Sequence, residues 1–207
     1  MSKTQGDLLF NGCKKFIVDL LGEDQLDSVM KDAYKRYDEL IEENKDEPKA
    51  MDPHTKARIY PAISVFESLL KAGCTREQAA QVIYDHFDYS AKKGAKFLQT
   101  LLKIPGLYKK VPSFACKMIH KSFGADVGFQ AQTKKLDRTG MHVDMLVCPY
   151  HQICQRYGCP EIVKAFCHSD DVAYGHMHPR LIWERTQTLG RGGECCDFII
   201  DIQEKEG

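Results

Sequence analysis

Apolar residues recur every three or four positions over the first two thirds of the chain, the period of a helix with one buried face. Leu8, Leu9, Phe16, Ile17, Leu20 and Leu21 form one such stripe, which ends at Gly22. Leu26, Met30, Tyr34, Tyr37, Leu40 and Ile41 form a second, with a charged remainder suited to a solvated face. The run EENKDEPKAMDPHTK is charged and holds two prolines, so it predicts a loop. A third helix is expected over TKARIYPAISVFESLLKAG, with Pro61 near its start and Gly73 closing it. Thr75 and Gln78 have the Thr-x-x-Gln spacing of a capping box and open REQAAQVIYDHFDYSAKKG. Further helix runs through AKFLQTLLK until Ile104, Pro105 and Gly106 break it, and SFACKMIHKSF predicts one more short helix.

After Gly124 the period drops to two. In MHVDMLVC, Met141, Val143, Met145 and Val147 face one way, and His142, Asp144, Leu146 and Cys148 the other, which is a strand pattern. Two short helices follow: PYHQICQRYG, with Pro149 at its first position, and PEIVKAFC, which leaves His168, Asp170 and Asp171 beyond its end. RLIWERTQTLGRGGECCDFIIDIQ reads as a hairpin around Gly190, Gly192 and Gly193. No internal repeat or linker interrupts the chain. The expected class is α+β in a single domain over residues 1–207. Its mainly helical portion, 1–135, packs with a small antiparallel sheet in a cysteine-rich portion, 136–207.

Composition narrows the function classes. The chain has 207 residues, 43% hydrophobic and 28% charged, with formal net charge zero. That is a globular composition without the basic excess of a general nucleic-acid binder. No apolar run approaches the roughly 20 residues that span a bilayer. The first residues lack a signal peptide's apolar core, so the cytoplasm is the expected location. The nine cysteines are then expected as reduced thiols, and six of them fall between Cys148 and Cys196.

That cluster supports several chemistries. A tetrahedral metal site favours Cys-x-x-Cys, which is absent. His151 with Cys154, or His176 with His178, could still chelate, although the latter pair sits in an ordinary Gly/Pro turn. Adjacent Cys195 and Cys196 point to opposite faces of a strand, which weakens a vicinal redox pair. Cys196 shares its face with Phe198, Ile200 and Ile202, so it is either a small buried hydrophobe or a thiol facing a pocket. Arg185 follows Leu181 and Trp183 on one face. It is either a buried cation needing an anionic partner or an exposed edge residue. His168, Asp170 and Asp171 either form an Asx-type turn or supply polar groups beside Cys167.

Two blocks, CPYHQICQRYGCPEIVKAFCHSDD and ERTQTLGRGGECCDFII, resemble the L-2-amino-thiazoline-4-carboxylic acid hydrolase family. The family's Cys-x-Tyr falls on Cys148 and Tyr150, and its Gly-x-Pro-Glu on Gly158, Pro160 and Glu161. Its Cys followed closely by Asp falls on Cys167 and Asp170, and its Arg-Thr-x-Thr on Arg185, Thr186 and Thr188. Its Gly-x3-Cys-Asp-Phe falls on Gly192, Cys196, Asp197 and Phe198. The helical stretch RIYPAISVFESLLKAGCTREQAAQVI is also similar, and the last motif looks like the vinyl-reductase-type ligand-binding domains. Cys154, Cys159 and Cys195 have no place in the pattern, and adjacent Asp170 and Asp171 leave the acid's register open by one.

The resemblance implies hydrolytic opening of a small cyclic amidine to an N-carbamoyl amino acid. Cys148, Cys167, Asp170 and Cys196 are its catalytic candidates. Arg185, Thr186, Tyr150, His168 and Asp197 are the substrate-binding candidates. In that scheme Asp170 holds the amidinium, Arg185 pairs a substrate carboxylate, and a thiol adds to the electrophilic carbon or positions water. No organic cofactor and no resident metal are expected, although three thiolates leave room for a divalent metal. The expected partner is a small-molecule substrate, with no nucleic acid or membrane; a homo-oligomer stays open. Two alternatives are a small-molecule sensor on the same scaffold and a structural zinc protein.

Overall fold

The computed structural model describes residues 4–203. In chain order its elements are α1 (Asp7–Leu21), α2 (Glu23–Glu43), α3 (Tyr60–Lys71), α4 (Arg76–Leu101), α5 (Val111–Ser122), β1 (Gln130–Leu136), β2 (Gly140–Val147), α6 (Pro149–Arg156), α7 (Val163–Tyr174), β3 (Leu181–Glu184) and β4 (Cys196–Ile202). This is an α+β fold with one four-stranded antiparallel sheet in the order β1-β2-β4-β3. No described helix is long and apolar enough to cross a membrane.

The chain folds as two compact units, and each draws on both the helical and the cysteine-rich portions. One comprises Met1–Phe87 with Tyr150–Phe166, the other Asp88–Pro149 with Cys167–Gly207. In the first, the predicted stripes of α1 and α2 bury Phe10, Ile17 and Leu40. Helix α3 is buried on nearly all sides through Tyr60, Ile63, Phe66 and Leu69. Burying each such side chain stabilises by about 1.5–3 kcal/mol. Gly12 sits inside α1 because the His86 ring lies where its Cβ would be. The capping box forms as predicted: Gln78 N–H donates to Thr75 Oγ1 and Thr75 N–H to Gln78 Oε1.

The family-like Gly-x-Pro-Glu turn lies in this unit. Gly158 takes a left-handed φ of 66°. Arg76 donates to Glu161 and, at 2.5 Å, to the Gly158 carbonyl, so the turn is held from both sides. Cys154 and Cys159 are fully buried here, and the Cys159 thiol donates to the Cys154 carbonyl at 3.4 Å. His151 instead meets Gln155 at 3.0 Å. The chelating pair His151 and Cys154 therefore does not form: one side chain is at the surface and the other in the core.

The second unit carries the sheet. On its front face Met141, Val143 and Met145 of β2 stand opposite Ile200, Phe198 and Cys196 of β4, as the alternation predicts. Leu102, Tyr108, Cys116, Met177 and Leu181 complete this core. Strand β1 lies outside the periodic pattern because its side chains are mostly exposed and its pairing with β2 rests on backbone hydrogen bonds. His178 stacks on Tyr108 with ring centroids 4.4 Å apart and accepts from the Arg180 N–H, so His176-x-His178 is part of a turn.

One local expectation is corrected. Helix α7 does not stop at Cys167 but continues to Tyr174, so Cys167, His168, Asp170 and Asp171 lie inside it. Asp carboxylates compete with a helix when they turn back onto nearby backbone. Here Asp170 and Asp171 reach the Arg185 guanidinium instead.

Candidate functional site

Arg185 immediately follows β3, and its side chain is only 2% exposed. A buried guanidinium needs anionic or carbonyl partners. It has three, all on α7: Nη1 donates to Asp170 Oδ2 at 3.3 Å, and Nη2 to Asp171 Oδ2 at 2.5 Å and to the Cys167 carbonyl at 2.6 Å. Trp183 Nε1 donates to Asp171 Oδ1 at 3.2 Å, and the guanidinium lies 5.6 Å from the Phe198 ring centroid. Arg185 is therefore the buried cation of the two sequence readings. Both nitrogens of its fork are engaged by α7, so a substrate carboxylate would have to displace an aspartate to reach them.

Cys148 and Cys167 each interact electrostatically with Cys196 in this unit. They reach it from the end of β2, the body of α7 and the start of β4. Burial pushes the Cys167 thiol up to about 12, helped by Cys196 and opposed by Arg185. Burial also pushes Cys196 up to about 11; the Leu189 N–H, donating to its sulfur at 3.3 Å, pulls the other way, and Cys148 adds to the rise. Cys167 and Cys196 are thus protonated at neutral pH. Among the described residues, no group of three or more His, Cys, Asp or Glu side chains is arranged to hold a metal ion.

The turn that brings Leu189 to Cys196 is fixed from behind. Asp197, 5% exposed, accepts from the Thr186 N–H at 3.1 Å, the Thr186 hydroxyl at 2.5 Å and the Gln187 N–H at 2.9 Å. Burial raises this carboxyl's pKa, but these bonds more than offset it, and the net shift is downward. Strand alternation puts Asp197 on the opposite face from Cys196. Its structural role is to clamp the segment after β3. Thr188, buried at 1% exposure, leaves its hydroxyl without a protein partner among the described residues.

The other sequence candidates make different contacts. Tyr150 belongs to the first unit, where its hydroxyl meets His54 Nδ1 at 3.1 Å. His168 points to Asp88 at 3.0 Å. Cys195 lies on the back face beside Asp144, and burial raises its pKa first, with Asp144 adding to it.

The sequence also gave no sign of a cavity of about 320 Å³ in the second unit. Phe114 and Met118 of α5, Met141 and Phe198 of the sheet, Tyr174 and Trp183 are among its walls. Among the described residues Asp170 is its one carboxylate, and no cationic side chain lines it. The cysteines do not line it either; Asp170 connects the two features, because it faces the cavity and interacts electrostatically with both Cys167 and Cys196. The available signal was the repeat of Phe114, Ala115, Met118 and Ile119 along one side of α5. That pattern is the same for a filled and an unfilled core.

Comparison with known proteins gives one structural and one family finding. A solved H-NOX domain from Shewanella oneidensis is 11% identical, with 96% of this chain and 98% of that chain covered, at a TM-score of 0.37. A superposition that loose specifies neither topology nor ligand. No curated protein matches the chain. The family model for L-2-amino-thiazoline-4-carboxylic acid hydrolase matches residues 52–200. This span takes in α3 through most of β4 and the whole of both motif blocks, and the chain belongs to the L-2-amino-thiazoline-4-carboxylic acid hydrolase family.

Proposed function

We propose that the protein is a hydrolase that opens a small cyclic amidine, such as 2-amino-thiazoline-4-carboxylate, to an N-carbamoyl amino acid. The observation that carries this reading is the buried Arg185 held by Asp170 and Asp171, beside three thiols that interact electrostatically, in a chain of this family. In the reaction, water adds to the carbon held by the ring nitrogen, the ring sulfur and the exocyclic amine. The carbon–sulfur bond breaks, the sulfur takes a proton, and the water oxygen becomes the carbonyl of the carbamoyl group.

Each residue has a role in that sequence. Asp170 holds the protonated amidine by charge-assisted hydrogen bonds, which makes the carbon more electrophilic. Arg185 and Asp171 fix Asp170 in place. The Thr188 hydroxyl, buried and without a partner among the described residues, is suited to orient the water. The protonated Cys196 and Cys167 thiols favour proton donation to the leaving sulfur over attack as thiolates. With a pKa near 11, only roughly one Cys196 in ten thousand is ionised at pH 7. Cys148 completes the thiol set. Thr186 and Asp197 position the Thr188–Leu189 turn.

The purified chain incubated with the amino-thiazoline acid is expected to form carbamoyl-cysteine, detected by mass. No product, with and without added divalent metal, would remove this substrate. Cys196→Ser keeps a proton donor of weaker acidity and is expected to lower kcat about 10- to 100-fold; unchanged kcat would take Cys196 out of the chemistry.

A further inference from the structure

The cavity beside Asp170 is a poor fit for the family's named substrate. That compound carries a carboxylate, and among the described residues the cavity offers an anion no cationic side chain and one like-charged carboxylate. A desolvated carboxylate there would meet a like charge at Asp170, whereas a cation would meet an opposite one. The volume is also too large for one five-membered ring. An apolar cavity of about 150 Å³ holds a benzene, and this one is about 320 Å³. Phe114, 65% exposed, and Met118 lie on α5 at its mouth, so a ligand can enter from that side.

We propose that the cavity is a subsite for a large apolar substituent, and that the substrate is a cyclic amidine bearing an aromatic or branched hydrocarbon group in place of the carboxylate, ring and substituent together being about two rings in size. The amidinium sits at Asp170 and the hydrocarbon fills the space between Met118, Met141, Trp183 and Phe198. This rests on the hydrolase reading for the identity of the charged end, and on the cavity itself for the apolar end.

Trp183 is the single tryptophan of the chain and lines the cavity, so its emission reports occupancy directly. The test titrates the full chain with 4-phenyl-2-amino-thiazoline, with its neutral 2-oxo counterpart, and with 2-amino-thiazoline-4-carboxylate, by calorimetry and Trp183 fluorescence. The phenyl amidine is expected to bind at least tenfold more tightly than either of the others and to shift Trp183 emission. Ala115→Phe places a ring in the cavity and should weaken the phenyl amidine by tenfold or more. Asp170→Asn should bring the phenyl amidine and its neutral counterpart to similar affinity. Tighter or equal binding of the carboxylate, or phenyl amidine binding that neither moves Trp183 emission nor responds to Asp170→Asn, would overturn the proposal. The wild-type titration decides even if a variant does not fold. The two readings fail separately: turnover of the carboxylate with no binding of the phenyl amidine sinks only the subsite. Binding of the phenyl amidine at Trp183 without hydrolysis of any of the three supports the subsite and sinks the hydrolase.

Discussion

The two units spend their apolar residues differently. In the first, Phe10, Ile17, Leu40, Ile59, Tyr60, Ile63, Phe66, Leu69 and Ile83 are almost wholly buried. In the second, similar residue types surround a cavity of about 320 Å³. Among the described residues, every exposed large hydrophobic except Leu8 lies in the second unit, Phe97, Ile104 and Phe114 most exposed among them. Close packing is the default for a protein interior, because an unfilled void loses dispersion contacts on every side. The named side chains of the first unit, at or near zero exposure, accord with that rule. The second unit departs from it next to a half-buried ion cluster and three thiols, the combination expected where a ligand completes the core.

The contrast is sharpest in side-chain truncation. Phe66→Ala should cost about 3–5 kcal/mol in urea unfolding, because the surrounding core cannot collapse into the space. Phe114→Ala in the second unit should cost under about 0.5 kcal/mol, since that ring is mostly in solvent already. Equal losses would erase the distinction. Arg185→Met comes next. It leaves Asp170 and Asp171 facing each other without their cation, and about 2–3 kcal/mol is expected by the same measurement. That is below the cost for a fully buried pair because both carboxylates are about a third exposed, at 38% and 33%.

Sequence periodicity reached most of the fold for a physical reason: helices and half-buried strands write their burial into the spacing of apolar residues. The α1 and α2 stripes, the Thr75–Gln78 capping box and the β2 and β4 faces were legible in that way. Strand β1 was not, because an edge strand held by its backbone leaves no side-chain pattern. The extent of α7 was hidden by Asp170 and Asp171. They look like turn residues until the long-range partner Arg185 is known. At the site, alternation correctly turned Cys196 inward and Cys195 away. The roles of Tyr150 and His168 depend on His54 and Asp88, residues distant in sequence, and a single motif carries no trace of either pairing. The cavity was invisible because a pattern of apolar residues shows which faces are buried, not how well they fill space.

The pH response adds a smaller effect. Cys13, Cys167 and Cys196 all hold their protons more tightly when folded, because burial disfavours the thiolate. Unfolded thiols ionise near the ordinary value of 9.0, so the unfolded state binds fewer protons above that pH. Stability is therefore flat with respect to these groups below pH 9 and falls as pH rises through 9 to 12. Thermal melting under reductant should show that decline, and Cys13→Ala should make it shallower; a Tm that rises over this window would contradict the assignment of the thiols as buried and protonated.

The central claim is that the roomy unit hydrolyses a cyclic amidine held at Asp170. Its most direct measurement is product formation from 2-amino-thiazoline substrates in ¹⁸O-labelled water, comparing wild type with Asp170→Asn. The expected result is a carbamoyl product carrying one ¹⁸O atom, with kcat/KM at least 100-fold lower in the variant, about 2.7 kcal/mol of transition-state stabilisation. A product without the label, no product from any of these amidines, or equal rates in the two proteins would contradict it.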